Sequence, residues 1–335
     1  MKNEKLRLLV TGGAAYLGSI LVAEFIKRGY HVRVLDNLLY GINPIKDIVN
    51  NPNFELVEDD IRDMRTVVKC MSDIDAVIHL ASLVGEPASK LGSRTTKEIN
   101  YLASRNLADL AKLYEIKKFI FASTCTVYGA QPAKKLTEKS IVKPVDLYGE
   151  TKLLSEKAIF EAFKKPTILR LSTLFGLSKR MRFDLAINLF AAQASNNEKL
   201  TIFGGDQYRP FLHVKDAAEA FILAIERNLS GIYNVVGENI KIEDAAFMVQ
   251  KQIPVKVEYS KTIIDKRDYI VSGEKFNKEG FSPKRNIIET IKEIHKTFEE
   301  GKIKNYKNSI YSNYKSLFES EEIQRKVYTQ GPIFK

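Results

Sequence analysis

The chain of 335 residues has only two cysteines and four histidines, and it contains no repeat, no low-complexity tract and no long apolar run. Cys70 and Cys125 lie far apart, without Cys-x-x-Cys spacing or a histidine-rich neighbour. That excludes a disulfide framework and a cysteine-based zinc site, no metal is expected, and a cytoplasmic location fits best. No stretch approaches the roughly 18 apolar residues of a membrane-spanning helix. Lys2, Glu4, Lys5 and Arg7 break up the segment before Thr11, so no secretory leader is expected. Disorder is excluded by what is present: 44% apolar residues can bury enough surface to offset the ordering entropy. Acidic residues are the minority, 41 against 52 basic ones, for a formal charge of +11. The basic residues are scattered and form no stripe, which disfavours nucleic acid and favours a small anionic substrate.

Short apolar runs alternate with amphipathic segments over the first 170 residues, the pattern of βαβ units and a parallel sheet. The runs are Leu6 to Val10, Val32 to Leu35, Phe54 to Val57, Ala76 to Leu80, Phe119 to Ala122 and Thr167 to Leu171. Six strands in a doubly wound α/β sheet are expected. Helices are expected over Leu17 to Arg28, Thr95 to Tyr114 and Leu147 to Lys164, where apolar residues recur at three- and four-residue spacings. After Gly176 the rhythm changes. A helix near Asp184 to Ser195, a turn at Gly204-Gly205-Asp206, a helix over Val214 to Arg227 and a strand over Ile232 to Val236 point to a second, smaller lobe. The division expected is residues 1–175 in the first domain, with 211–236 returning to it, and 176–210 with 237–335 in the second. The polar, tyrosine-rich tail from Lys302 carries one expected helix, Glu319 to Val327, and no assigned role.

Directly after the first run stands Thr11-Gly12-Gly13-Ala14-Ala15-Tyr16-Leu17-Gly18, followed at once by a helical pattern. Glycines here permit a tight turn and let backbone amides approach a pyrophosphate, which a helix N-terminus stabilises. An ordinary glycine-rich turn would read similarly. Asp36, 18 residues beyond Gly18 at the end of the second run, is placed to accept hydrogen bonds from an adenosine ribose and to repel a 2'-phosphate. An isolated Asp after a strand is usually a turn former. Loop, spacing and strand end together favour NAD.

These residues resemble the extended short-chain dehydrogenases/reductases that act on nucleotide sugars, the NAD-dependent epimerase/dehydratase family. The family's loop is Thr-Gly-x-x-Gly-x-x-Gly, matched here except that Ala15 stands at the middle glycine. The resemblance implies a Rossmann-type doubly wound parallel sheet with a smaller C-terminal substrate-binding lobe. It also implies that Gly12, Ala15, Tyr16, Leu17 and Gly18 hold the cofactor's pyrophosphate. Asp36-Asn37 looks like the ribose-binding strand end, and Asp60-Ile61 like the adenine-side segment. Leu80-Ala81 is similar to the stretch after the fourth strand that lines the cofactor, and Asn100 falls where the family keeps an asparagine.

The family's Tyr-x-x-x-Lys puts both side chains on one helical face, so that the ammonium can lower the phenol pKa and hold the ribose. The pattern occurs at Tyr114/Lys118, Tyr148/Lys152 and Tyr311/Lys315. Position decides among them. Tyr148 opens the helix about two dozen residues past Ser123-Thr124-Cys125-Thr126-Val127-Tyr128-Gly129, which looks like the family's Ser-Ser/Thr-x-x-Val-Tyr-Gly strand end. The other two tyrosines are expected at the surface. The resemblance makes Thr124 the hydrogen-bond donor to the reacting oxygen, Tyr148 the general acid/base and Lys152 its support. A strand-end Thr that merely caps the next turn is the bland alternative. The dehydratases of the family carry Asp-Glu after the catalytic Thr, where Cys125-Thr126 stands here. Dehydration is therefore disfavoured, and Cys125 reads as a buried filler.

In the second half, Gly204-Gly205-Asp206-Gln207-Tyr208-Arg209-Pro210-Phe211-Leu212-His213-Val214 resembles the family's Gly-Gly-x-x-x-Arg-x-Phe/Tyr-x-His-Val segment. The resemblance implies that Arg209 and Arg267, the latter in Arg267-Asp268-Tyr269, bind a nucleoside diphosphate, and that Asn188 contacts the substrate. Leu171-Ser172-Thr173 replaces the Tyr-Phe-Asn of UDP-glucose/UDP-galactose 4-epimerases. The expected function is 4-epimerisation of a nucleotide sugar by transient oxidation at C4. Net oxidation or reduction at C4 is the alternative, and a non-catalytic NAD-binding protein a remote one. A homodimer through the helices Thr95 to Tyr114 and Leu147 to Lys164 is expected from the resemblance.

Overall fold

A computed structural model describes residues 5–90, 92–260 and 267–329. Its centre is a seven-stranded parallel sheet. In spatial order the strands are Gly231–Val235, Thr167–Leu171, Lys118–Thr124, Ala76–His79, Arg7–Thr11, His31–Asp36 and Phe54–Glu58. The first strand thus lies between the fourth and the second, Leu8 facing both Ala76 and Val32. The chain's winding reverses there, and a crevice opens beyond the C-terminal strand ends at such a point.

The six expected strands are all present, and a seventh, Gly231–Val235, pairs with Thr167–Leu171. The near-continuous apolar runs have a simple cause: the sheet is covered on both faces. Leu8 and Val10 enter one core with Phe25 of the helix Gly18–Lys27 and Phe221 of the helix Val214–Glu226. Leu9, pointing the opposite way, enters another with Leu107 of the helix Ala103–Leu113 and Ile159 of the helix Leu147–Ala162.

Three smaller sheets surround the crevice. Thr173–Phe175, Tyr208–His213 and Glu238–Lys241 form one; Leu200–Phe203 pairs with Val257–Ser260, and Ala130–Leu136 with Asp268–Val271. The strand Ala130–Leu136 was not anticipated, and it ties the segment after Thr124 to the segment after Arg267.

Two expected helices are divided. The stretch from Ser93 to Leu113 widens over Glu98–Leu102, where the carbonyl of Asn100 accepts the hydroxyls of Ser104 and Ser155 and so departs from regular helical pairing. In the tail, helices run over Asn313–Glu319 and Glu321–Gln324 with a further turn Arg325–Thr329. The break falls at Ser320, which is extended and caps the next turn by accepting the Ile323 N–H.

Candidate active site

A cavity of about 550 Å³ occupies the crevice. Its floor is the glycine loop. Gly12 has φ +75°, and a Cβ there would lie 2.8 Å from the Ala81 nitrogen; at Gly18 a Cβ would meet the Gly12 carbonyl oxygen at 2.2 Å. Both positions therefore require glycine. Ala15, Tyr16 and Leu17 complete the floor. The Tyr16 hydroxyl itself is turned away, donating to the Gly176 carbonyl at 2.6 Å.

Asp36 ends the second strand, and its two oxygens accept the Ala14 and Leu38 N–H groups, each at 2.9 Å. Those bonds fix the carboxylate against the cavity and leave each oxygen a further lone pair for a diol. Burial raises its pKa, and the two amides oppose the rise. Asn37, Ile61, Leu80 and Ala81 also line the cavity. Asp60 lines it too, with its carboxylate engaged by the forked guanidinium of Arg62 at 2.8 and 2.9 Å.

Asn100 is not in the lining. Its amide accepts the Leu83 N–H and donates to the Leu83 carbonyl and the Thr151 hydroxyl. It fastens the loop after the fourth strand to the helix of Tyr148. Asn188 is likewise set back: it is fully buried, accepting the Gly176 N–H and donating to Tyr16 Oη and the Arg182 carbonyl. Three of its four hydrogen-bonding positions are thus occupied, and Asn188, expected to contact the substrate, is not in the cavity lining.

Thr124, Tyr148 and Lys152 meet at one wall. Asp146 starts the helix that carries the latter two by accepting the Gly149 N–H at 2.7 Å. Of the three Tyr-x-x-x-Lys pairs only this one reaches the cavity. Tyr114 is 41% exposed. Tyr311, expected at the surface, packs its ring against Phe183 at 5.4 Å, because the tail folds back onto the second half of the chain. Thr124 caps the turn Cys125–Tyr128 by accepting the Thr126 N–H at 3.1 Å, its hydroxyl donates to that of Thr126 at 3.0 Å, and it lines the cavity together with Tyr148. Cys125 is buried, and burial pushes its thiol up to about 12.

The electrostatics of this wall differ from the expectation in one respect. Burial raises the Tyr148 phenol, and the groups that pull it down are Arg182 and the Thr124 hydroxyl. Lys152 Nζ donates to the Ala122 carbonyl at 2.8 Å and stands 6.0 Å from the Tyr148 ring centre. Burial lowers this ammonium to about 7, partly offset by Glu156. The lysine is thus held by backbone rather than by the phenol.

Four arginines also line the cavity: Arg180, Arg182, Arg209 and Arg267. Arg209 is buried, donates to the Tyr208 carbonyl at 2.8 Å and stacks over Tyr269. Arg182 is paired with Asp184 through two bonds of 2.9 and 3.0 Å. Arg180, Arg182 and Asp184 were not picked out from the sequence; the alternation of Arg180, Arg182 and Asp184 with Met181 and Phe183 was the available signal. The tail contributes Asn313, Tyr314 and Val327 to the lining, so the segment without an assigned role is part of the site. Among the described residues no cluster of His, Cys, Asp or Glu could hold a metal, and no helix is long and apolar enough to cross a membrane.

The glycine cradle and the amide-fixed Asp36 fit a dinucleotide. Residues 8–236 match the NAD dependent epimerase/dehydratase family. The chain belongs to that family.

Relatives within the epimerase/dehydratase family include a UDP-glucose 4-epimerase of Lactobacillus helveticus, 32% identical over 69% of this chain and 76% of its own. A UDP-glucuronic acid decarboxylase 4 of Arabidopsis thaliana is 31% identical over 77% of this chain and 60% of its own. Among solved structures, a UDP-glucuronic acid 4-epimerase from Bacillus cereus, in complex with UDP-glucuronic acid and NAD, superposes with a TM-score of 0.79. It is 27% identical, covering 88% of this chain and 99% of that one. The protein is an NAD-dependent enzyme of the nucleotide-sugar epimerase and decarboxylase group.

Proposed function

We propose that the protein epimerises a nucleotide sugar at C4. The observation that carries this reading is that Thr124, Tyr148 and Lys152 line the same cavity as Arg209 and Arg267. In this reading residues 1–175 and 211–236 carry the cofactor, and 176–210 with 237–335 shape the substrate end. Two arginines suit a diphosphate because each guanidinium offers a charge-assisted fork of donors. Anchored there, the sugar lies with its C4 hydroxyl against Tyr148 and Thr124.

When bound, NAD supplies the hydride acceptor at C4 and the donor for the return. The chain's own residues handle the proton. Tyr148 takes it from the C4 hydroxyl as that carbon is oxidised, and Thr124 donates a hydrogen bond to the developing carbonyl oxygen. Tyr148 returns the proton once the 4-keto sugar has turned its other face. Lys152 holds the ribose. Asp36 accepts from the adenosine ribose, and Asp60 and Ile61 border the adenine.

The test is incubation of the protein with UDP-, GDP-, CDP- and dTDP-sugars, with and without NAD, read by mass spectrometry and NMR. The expected result is interconversion of one pair of C4 epimers without net NADH. Accumulation of NADH with a 4-keto product and no epimer would replace epimerisation by net oxidation.

A further inference from the structure

We propose that Arg180 is the cationic half of a diphosphate-oxyanion site, directed at the pyrophosphate of the bound dinucleotide. Arg180 is 4% exposed, and its Nε and Nη2 are buried with no hydrogen-bond acceptor among the described residues. Its guanidinium carbon lies 3.7 Å from the centre of the Tyr40 ring, and the residue lines the cavity. A buried guanidinium held over an aromatic face, with donors unspent, is costly unless an anion completes it.

Arg180 differs in this from its neighbour. The two oxygens of Asp184, the nearby carboxylate, are already taken by Arg182, and one of them also accepts the Asn313 N–H. The charge that Asp184 brings is matched by Arg182, and that of Arg180 is left over. Burial lowers Arg180 to about 10, with Tyr40, Asp184 and Tyr16 opposing the shift and Arg182 adding to it. It therefore remains a cation at neutral pH.

The location selects the ligand. Two residues before Arg180, the Ser178 hydroxyl donates to the Tyr16 carbonyl at 2.7 Å and lies 3.2 Å from that of Ser19. Both partners belong to the glycine loop and the first turn of its helix. Tyr40, beneath Arg180, follows four residues after Asp36. The segment Ser178 to Arg180 is thereby fastened to the cofactor half of the cavity. Backbone amides and a helix N-terminus offer only partial positive charge to a pyrophosphate. Arg180 adds a full charge facing them.

A nucleotide-sugar substrate carries the same diphosphate chemistry, so the test separates the two sources. Binding of NAD, ADP-ribose and UDP to the full chain is measured by calorimetry for the native protein, Arg180→Gln and Arg180→Lys, with thermal unfolding of each in the absence of ligand. Arg180→Gln is expected to weaken NAD and ADP-ribose by the same factor, roughly 10- to 100-fold. UDP should stay within about twofold, and Arg180→Lys should recover part of the loss. The unliganded Arg180→Gln protein should melt no lower than the native one, since an uncompensated buried charge has been removed. UDP weakened with NAD unchanged would overturn the assignment in favour of the substrate's diphosphate. Equal weakening of all three with a lower melting temperature would reduce Arg180 to a structural residue, and unchanged binding of all three would refute the site.

Discussion

Asn188 and Tyr16 lie 172 positions apart in the chain, and the Asn188 amide donates to the Tyr16 hydroxyl at 3.1 Å. Through this bond the glycine loop is tied to the helix Ala186–Ser195. The Tyr16 hydroxyl also donates to the Gly176 carbonyl, and the Gly176 N–H donates back to Asn188. Three buried groups thus close a small network between the halves of the site, and the loss of any one strands the others.

Asn188→Ala should accordingly act on stability more than on substrate affinity. Leaving buried partners unsatisfied costs about 1–3 kcal/mol per group. The melting temperature should fall by several degrees while KM for the nucleotide sugar changes little. A large rise in KM at unchanged stability would restore a direct substrate contact.

Tyr148→Phe removes the hydroxyl proposed to carry the proton and leaves the ring. The expected loss in kcat is about 10²- to 10⁴-fold with NAD affinity retained. Tyr114→Phe and Tyr311→Phe should remain near native, since neither reaches the cavity. Steady-state kinetics of the three variants decide this, and a fully active Tyr148→Phe enzyme would refute the mechanism.

Asp36 should set cofactor choice. Its carboxylate is fixed by the Ala14 and Leu38 amides, and at the adenosine ribose it would repel a 2'-phosphate. Titration should show NAD bound more tightly than NADP, with the gap narrowed in Asp36→Ala. Equal affinities in the native protein would sink the assignment.

The central sheet was legible in the sequence because a parallel sheet covered on both faces demands largely apolar runs, and Leu6 to Val10 or Ala76 to Leu80 show them plainly. Thr124, Tyr148 and Lys152 were legible because their spacing around a strand end and a helix start is local. The strand Ala130–Leu136 was hidden: its partner Asp268–Val271 is distant in sequence, and its Gln, Pro and Lys residues do not alternate with apolar ones. The tail residues Asn313 and Val327, which line the cavity, were hidden for the same reason. Their role comes from where the chain returns, which no local pattern encodes.

Acid sensitivity follows from two buried histidines. Burial lowers His79 to about 3, with Lys152 adding to the effect, and lowers His213 to about 4. Both are neutral in the fold and protonate near 6.5 when unfolded. Their contribution is therefore complete above about pH 6.5 and is lost as pH falls through that value toward 4, at up to about 1.4 kcal/mol per pH unit for each. Urea unfolding between pH 7 and 4.5 should show that decline, and a stability independent of pH there would contradict it.

The buried pair of Glu156 and Arg170 joins stability to catalysis. The carboxylate meets the guanidinium at 2.7 and 3.0 Å, and both side chains are almost fully buried. Glu156 also accepts from Ser123, the residue before Thr124, and stands one helical turn beyond Lys152. Breaking such a pair from one side leaves an uncompensated charge and costs about 3–5 kcal/mol, whereas replacing both partners with apolar residues of similar volume costs much less. Glu156→Gln should therefore unfold at markedly lower urea concentration than the native protein, and Glu156→Leu with Arg170→Met should recover much of the difference. Because Glu156 raises the Lys152 pKa against the effect of burial, its neutralisation must also drive that ammonium below its value of about 7. The rate of Glu156→Gln should then respond to pH through a group titrating lower than in the native enzyme. Identical pH profiles for the two would show that the carboxylate supports the sheet alone.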